Sequence, residues 1–250
     1  MEIEGKQCKN CGTKVSAAYC PECGQRTRID KVTFAETFHD FVETVFSVDA
    51  PLLVTLRMLF TAPGRLFREY LGGKRKTYYR PVAFFILFSV VYLLVRALID
   101  FDPFQNSTIE VTDETKKQLL LGARNYMLSH IDKFLFVFAF TLGLFLKLFF
   151  YKSYRLAEYI AIAFYLIGFY TIVTTLNMLF IQYVTPKFQY LAIVVMHGYF
   201  CYAMLSFFRQ KKYKVWVFIK SLLLFFVSMM TYAFSAFAIS FLIVWLKSSS

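Results

Sequence analysis

Five long apolar segments restrict this chain to folds built in a lipid bilayer. Residues 81 to about 99 form the first, long enough for a helix to cross a hydrocarbon core of roughly 30 Å. Residues 134–151, 159–184, 188–208 and 215–246 supply four more, with Lys220 and the length of the last placing its true entry a few residues later. Composition agrees, since 58% hydrophobic residues, 20% aromatic residues and a mean hydropathy of +0.52 lie outside the range of ordinary soluble domains. No secretory signal is visible, because the N-terminus is polar and the first long apolar segment starts after residue 80. The expected fold is an all-α membrane protein with about five transmembrane helices, cytoplasmic amphipathic helices and a small N-terminal zinc ribbon.

A net charge of +12 and a pI near 9.4 suggest nucleic acid until the charge is located. It sits between the apolar spans. The basic belt before the first span, Lys152 and Arg155, and the loop with Arg209, Lys211, Lys212 and Lys214 all fall on one side, which the positive-inside rule makes cytoplasmic. The opposite side receives residues 100–132, where Asp102, Glu110, Asp113 and Glu114 offset Lys116, Lys117 and Arg124, and the turn around Pro186. The expected location is a bacterial inner membrane, multi-pass, with the N-terminus cytoplasmic and the C-terminus periplasmic. Anionic lipid headgroups are then the natural partners of the basic side. Within the outer loop, Leu119, Leu120, Ala123, Tyr126 and Met127 recur at helical spacing, which predicts a short helix on the outer surface within residues 113–130. Asn106 opens a glycosylation triplet, a pattern frequent by chance and given no weight.

Residues 1–30 carry Cys8, Cys11, Cys20 and Cys23 as two Cys-x-x-Cys knuckles, each ending in Gly. Such a turn lets two thiolates converge while backbone N–H groups face the sulfurs, the donor set of a closed tetrahedral zinc site. A segment this short cannot bury enough apolar surface to fold unaided, so zinc would supply the missing stability. A reducing cytoplasm favours thiolates over disulfides. Lys9, Lys14, Arg26, Arg28 and Lys31 surround the cluster and offset the charge of four thiolates; nucleic-acid binding is the lesser reading. His39 is surplus to a tetrahedron already complete, and Cys201 reads as a small core residue.

Residues 31–80 form an expected interfacial region. Phe34, Phe38, Phe41, Val42, Val45 and Phe46 lie at helical spacing opposite Glu36, Asp40 and Glu43, an amphipathic helix over 33–48. A second helix opens at Pro51, shows Leu52, Leu53, Leu56, Leu59 and Phe60 on one side, and is interrupted at Pro63-Gly64. The belt follows, with Arg65, Arg68, Lys74, Arg75, Lys76 and Arg80 interleaved with tyrosines, and Pro81 suits the first turn of the first span. The double knuckle, the amphipathic helices and the run through Pro63, Gly64, Glu69, Tyr70, Gly73, Lys74, Arg75, Tyr78 and Pro81 resemble an uncharacterised family of bacterial integral membrane proteins common in Bacteroidota. The resemblance covers the full length and implies a zinc-ribbon protein of the inner membrane. It implies no activity.

Several residues carry two readings. Lys74, Arg75, Lys76 and Arg80 anchor the first span topologically, or hold an anionic headgroup that Gly72 and Gly73 let approach the backbone. Glu69 among them reads as an ion-pair partner. Arg96, Lys147 and Glu158 lie near span ends within reach of the interface. His197, mid-span, is a neutral residue bonded to another helix or a proton-relay or substrate group. Asn177 and Gln182 add amides near the outer end of the third span. Ser221, Ser228, Thr231 and Ser235 share a face of the fifth span, marking close packing or a polar path. No phosphate loop, nucleophile elbow, zinc-protease helix, paired catalytic carboxylates or dinucleotide fingerprint is present.

These features favour a non-enzymatic membrane scaffold or complex component whose zinc ribbon docks a cytoplasmic protein. The alternatives are a transporter or channel with a path near His197 and a lipid-headgroup enzyme using the belt. Five crossings make a small bundle, which leaves room for homo-oligomers.

Overall fold

A computed structural model describes residues 6–8, 11–22, 50–75, 77–102, 113–210 and 213–248. The chain divides into two compact units, residues 1–47 and 48–250. In the first, strands β1 (Lys6–Gln7) and β2 (Lys14–Val15) pair antiparallel, with Lys6 opposite Val15. The helix expected over 33–48 lies outside the described residues.

The second unit is helical: α1 (Ala50–Thr61), α2 (Pro63–Leu71), α3 (Pro81–Leu98), α4 (Glu114–Ser129), α5 (Ile131–Phe149), α6 (Leu156–Tyr183), α7 (Leu191–Phe207) and α8 (Lys214–Ser248). Its axis is α6. Apolar residues around its whole circumference predict a buried helix, and every residue from Ile162 to Phe169 is buried. Around it pack α3, α5 and α7, with α8 closing on α5 and α7. Close approach requires small residues at two places. A Cβ at Gly168 would stand 2.7 Å from the Phe84 ring, and one at Gly143 would stand 2.8 Å from Ile160.

Three helices, α3, α6 and α8, are long and apolar enough to cross a membrane. The expected count of five is not reached on length and composition, because α5 carries Asp132, Lys133 and Lys147 among its 19 residues and α7 has only 17. The outer faces suit lipid. On α8, Leu223, Phe226, Phe234 and Leu242 are all more than half exposed, a continuous apolar surface that water would not tolerate on a monomer.

The helix expected within 113–130 is present as α4, with Asp113 as its N-cap accepting from the Thr115 and Lys116 amides. Its place differs from a free outer-surface helix. A short break at Ser129-His130, where the His130 ring stacks on Tyr126 at 4.1 Å, joins α4 to α5. The pair runs antiparallel to α8, with Gly122 against Val244 and Phe138 stacked on Tyr232. A helix of 35 residues, about 52 Å long, has room for both partners.

α1 and α2 form a helical hairpin seated against α6 and α7. Pro63 breaks the helix and removes the N–H that Leu59 O, four residues earlier, would accept. The Tyr199 hydroxyl of α7 donates to Leu59 O at 3.0 Å in its place, and Tyr202 donates to Thr61 O at 2.7 Å. Beside the bend, the exposed Phe60 ring meets Phe169, midway along α6, edge-on at 4.8 Å. On the α2 side Gly64 lies against the Ser206-Phe207 backbone, and the Arg68 guanidinium donates to Ser206 O and, at 2.9 Å, to Phe207 O. Sequence predicted α1, but it read the stretch of α2 as part of the basic belt.

Candidate metal centre and polar sites

The N-terminal hairpin exists to converge thiols. Cys8 follows β1, its amide donating to Thr13 O at 2.8 Å, while Gly12 N donates to Cys8 O at 2.9 Å. Gly12 has φ +75°, the left-handed conformation that lets the chain turn immediately after Cys11. Cys8, Cys11 and Cys20 then place their Sγ atoms within 4.8 Å of one another, and Cys11 and Cys20 stand 3.5 Å apart. That separation is far too long for a disulfide and close to the edge, about 3.8 Å, of a tetrahedron with 2.3 Å metal–sulfur arms. Cys8 and Cys20 are buried and Cys11 is exposed. The donors present therefore fit a metal. Cys23, the fourth expected ligand, lies outside the described residues, as do Lys9, Arg26, Arg28, Lys31 and His39.

The belt is organised around Glu69. Its Oε1 accepts from Arg65 at 2.8 Å, and its Oε2 accepts from the Tyr78 hydroxyl at 2.7 Å and stands 3.2 Å from Lys74 Nζ. The Arg65 hydrogen bond, then Tyr78, then Lys74 hold its pKa down at about 2. Burial, and donation to Glu69, push the Tyr78 hydroxyl up to about 12. Glu69 is thus an ion-paired anion at neutral pH. Thr55 holds the next stretch, accepting from Tyr79 N at 2.8 Å and donating to Pro51 O at 2.7 Å, while Tyr165 donates to Tyr79 O. Lys74 is engaged internally. Arg75 and Arg80 are exposed at the belt surface, and Lys76 lies outside the described residues.

The intraspan polar candidates separate into two groups. Arg96 donates to Phe101 O at 3.3 Å and Leu128 O at 2.9 Å, tying α3 to the end of α4. Lys147 donates to Tyr151 O at 2.6 Å and Tyr154 O at 2.9 Å, and Glu158 accepts from Arg155 N at 2.6 Å to cap α6. His197 Nδ1 lies 2.9 Å from Ile193 O of its own helix, with its ring edge-on to Phe225. Each is engaged with nearby backbone. Ser221, Ser228 and Ser235 likewise donate to carbonyls of α8, which suits a packing face. Asn177 differs. Its Nδ2 reaches Gln189 O at 3.5 Å, while its buried Oδ1 has no partner.

Asn177 faces a cavity of about 480 Å³ at the end of the bundle opposite the belt. All six helices from α3 to α8 contribute to its wall, α8 through its middle turns at Tyr232–Phe237. His197 is not among the lining residues. Sequence analysis missed the cavity, and it missed the capping tyrosines. The latter had a signal in Pro63, four residues after Leu59.

A family model described as "Protein of unknown function (DUF3667)" matches residues 49–93, the hairpin, the Glu69 network and two thirds of α3. The match fits the expectation of an uncharacterised family. No curated protein and no solved structure matches the chain.

Proposed function

We propose that the chain is a non-enzymatic scaffold or complex component of a bacterial inner membrane, with a cytoplasmic zinc ribbon that docks a protein partner. The cysteine cluster carries this reading: three thiols converge on a hairpin whose first unit is separate from the helical bundle. In the proposal Cys23 completes a Cys₄ zinc site and the bundle crosses five times, α4 and α5 making one crossing together and α7 another. The N-terminus is inside and the C-terminus outside, with the belt on the inner face against anionic headgroups. The Glu69 network supports a structural belt over a lipid-headgroup enzyme, because the acidic group is locked in ion pairs.

The test is a Cys8→Ser plus Cys11→Ser variant in native membranes. Zinc content should fall to background, the bundle should still insert, and a partner cross-linked to the wild-type ribbon should be lost. Unchanged zinc content would remove the metal reading, and unchanged cross-linking would remove the docking reading. A C-terminal reporter active only in the periplasm checks orientation.

A further inference from the structure

The cavity beside Asn177 has the size and lining of a binding site and belongs to none of the features used above. Its volume, about 480 Å³, falls in the range of small-molecule sites, roughly 300–1,000 Å³. The wall is aromatic and aliphatic: Tyr92 from α3, Tyr170 and Met178 from α6, Tyr232 and Phe237 from α8, and Met127 from α4. Among the described lining residues none is Asp, Glu, Lys, Arg or His, so a charged ligand would enter without a counter-ion at a large desolvation cost.

Two polar atoms of the wall, Thr174 Oγ1 and Asn177 Oδ1, are buried without a hydrogen-bond partner, and of the two only the amide oxygen is purely an acceptor. Asn177 is 9% exposed and its Oδ1 is buried without a hydrogen-bond partner. An orphaned acceptor in such surroundings costs about 1–3 kcal/mol until a donor satisfies it. The cavity reaches the molecular surface, since Tyr190 at its rim is exposed and Phe237 partly so. In the membrane placement proposed above, the apolar part of that surface faces lipid.

We propose that this cavity binds a neutral amphiphile from the bilayer, with its hydroxyl donating to Asn177 Oδ1 and its hydrocarbon chain among the tyrosine rings. At about 30 Å³ per heavy atom, the share of one water in the liquid, the space takes on the order of sixteen heavy atoms. That is the size class of a fatty alcohol or the polar end of a larger neutral lipid. The site does not depend on the ribbon, so its test is separate from zinc content and partner capture.

The experiment is photolabelling of the full chain in phosphatidylcholine nanodiscs with a diazirine-bearing long-chain alcohol, the label being mapped by peptide mass spectrometry. Label should concentrate on lining residues, and dodecanol should displace it at least tenfold better than dodecane. The gap should close in Asn177→Leu, and Ala233→Phe, which fills the space, should abolish cavity labelling. Equal competition by dodecanol and dodecane in the wild-type protein overturns the proposal, and that comparison needs no variant to fold. Label spread along α8 with none on the cavity wall overturns it equally.

Discussion

Gly64→Ala isolates what holds the hairpin in the bundle. A Cβ at position 64 would stand 2.5 Å from Ser206 O and closer still to Phe207 N and Ser206 C. All three are backbone atoms of α7, so no side chain can rotate away. Restoring ordinary contact near 3.5 Å requires α2 to retreat by about 1 Å. The Arg68 hydrogen bonds to Ser206 O and Phe207 O lengthen with it. Overpacking of this kind costs about 1–3 kcal/mol, and weakening a charged hydrogen bond about 1.5–3 kcal/mol more, so a loss of roughly 3 kcal/mol or more is expected. The assay is reversible unfolding in mixed micelles for Gly64→Ala, Arg68→Ala and the double variant. Because both residues act at one seat, the double variant should lose clearly less than the sum of the singles. A Gly64→Ala loss under about 1 kcal/mol, or strict additivity, would refute the seating of α2 on α7.

Other outcomes follow from the same geometry. Tyr199→Phe leaves Leu59 O without a donor and should cost about 1–3 kcal/mol, more than Tyr202→Phe at its exposed position; equal effects in the unfolding assay would dismiss the capping argument. Because the folded pKa of Glu69 is depressed from 4.5 to about 2, its stabilisation is present above pH 4.5 and fades as pH falls towards 2. Glu69→Gln should therefore flatten the acid limb of a stability–pH profile, and an unchanged profile counts against the network. Lys147→Met should release the Tyr151 and Tyr154 carbonyls at the end of α5, seen as faster amide exchange across residues 150–155 with α6 protection retained.

Much of the helical layout is legible in the chain because periodicity and punctuation are local. Asp113 announces α4, Pro81 opens α3, and Pro63-Gly64 separates α1 from α2. What each apolar face rests on is not local. The leucine face of α1 reads the same whether it meets lipid or α6, and only the distant Tyr199 and Tyr202 distinguish the two. Three of the five expected spans stand out by length and composition, and one of the others is masked for a related reason: Asp132 and Lys133 sit where α4 meets α5, so its apolar stretch belongs to a longer interrupted rod. In the N-terminal hairpin Cys8, Cys11 and Cys20 meet as their spacing predicts, since convergence is written into a few nearby residues. Asn177 was singled out as an intraspan amide, yet its missing partner is visible only once six helices surround it.

The hairpin's tyrosine caps also order events during synthesis. Leu59 and its donor Tyr199 are 140 residues apart, and α1 is made first. At roughly 5–20 residues per second, on the order of ten seconds pass before α7 leaves the ribosome. Over that interval α1 and α2 cannot enter the bundle without stranding the Leu59 carbonyl in an apolar interior, so they wait at the wetter membrane surface. The hairpin therefore docks only against a chain translated as far as α7, which makes its burial a report that α7 is in place.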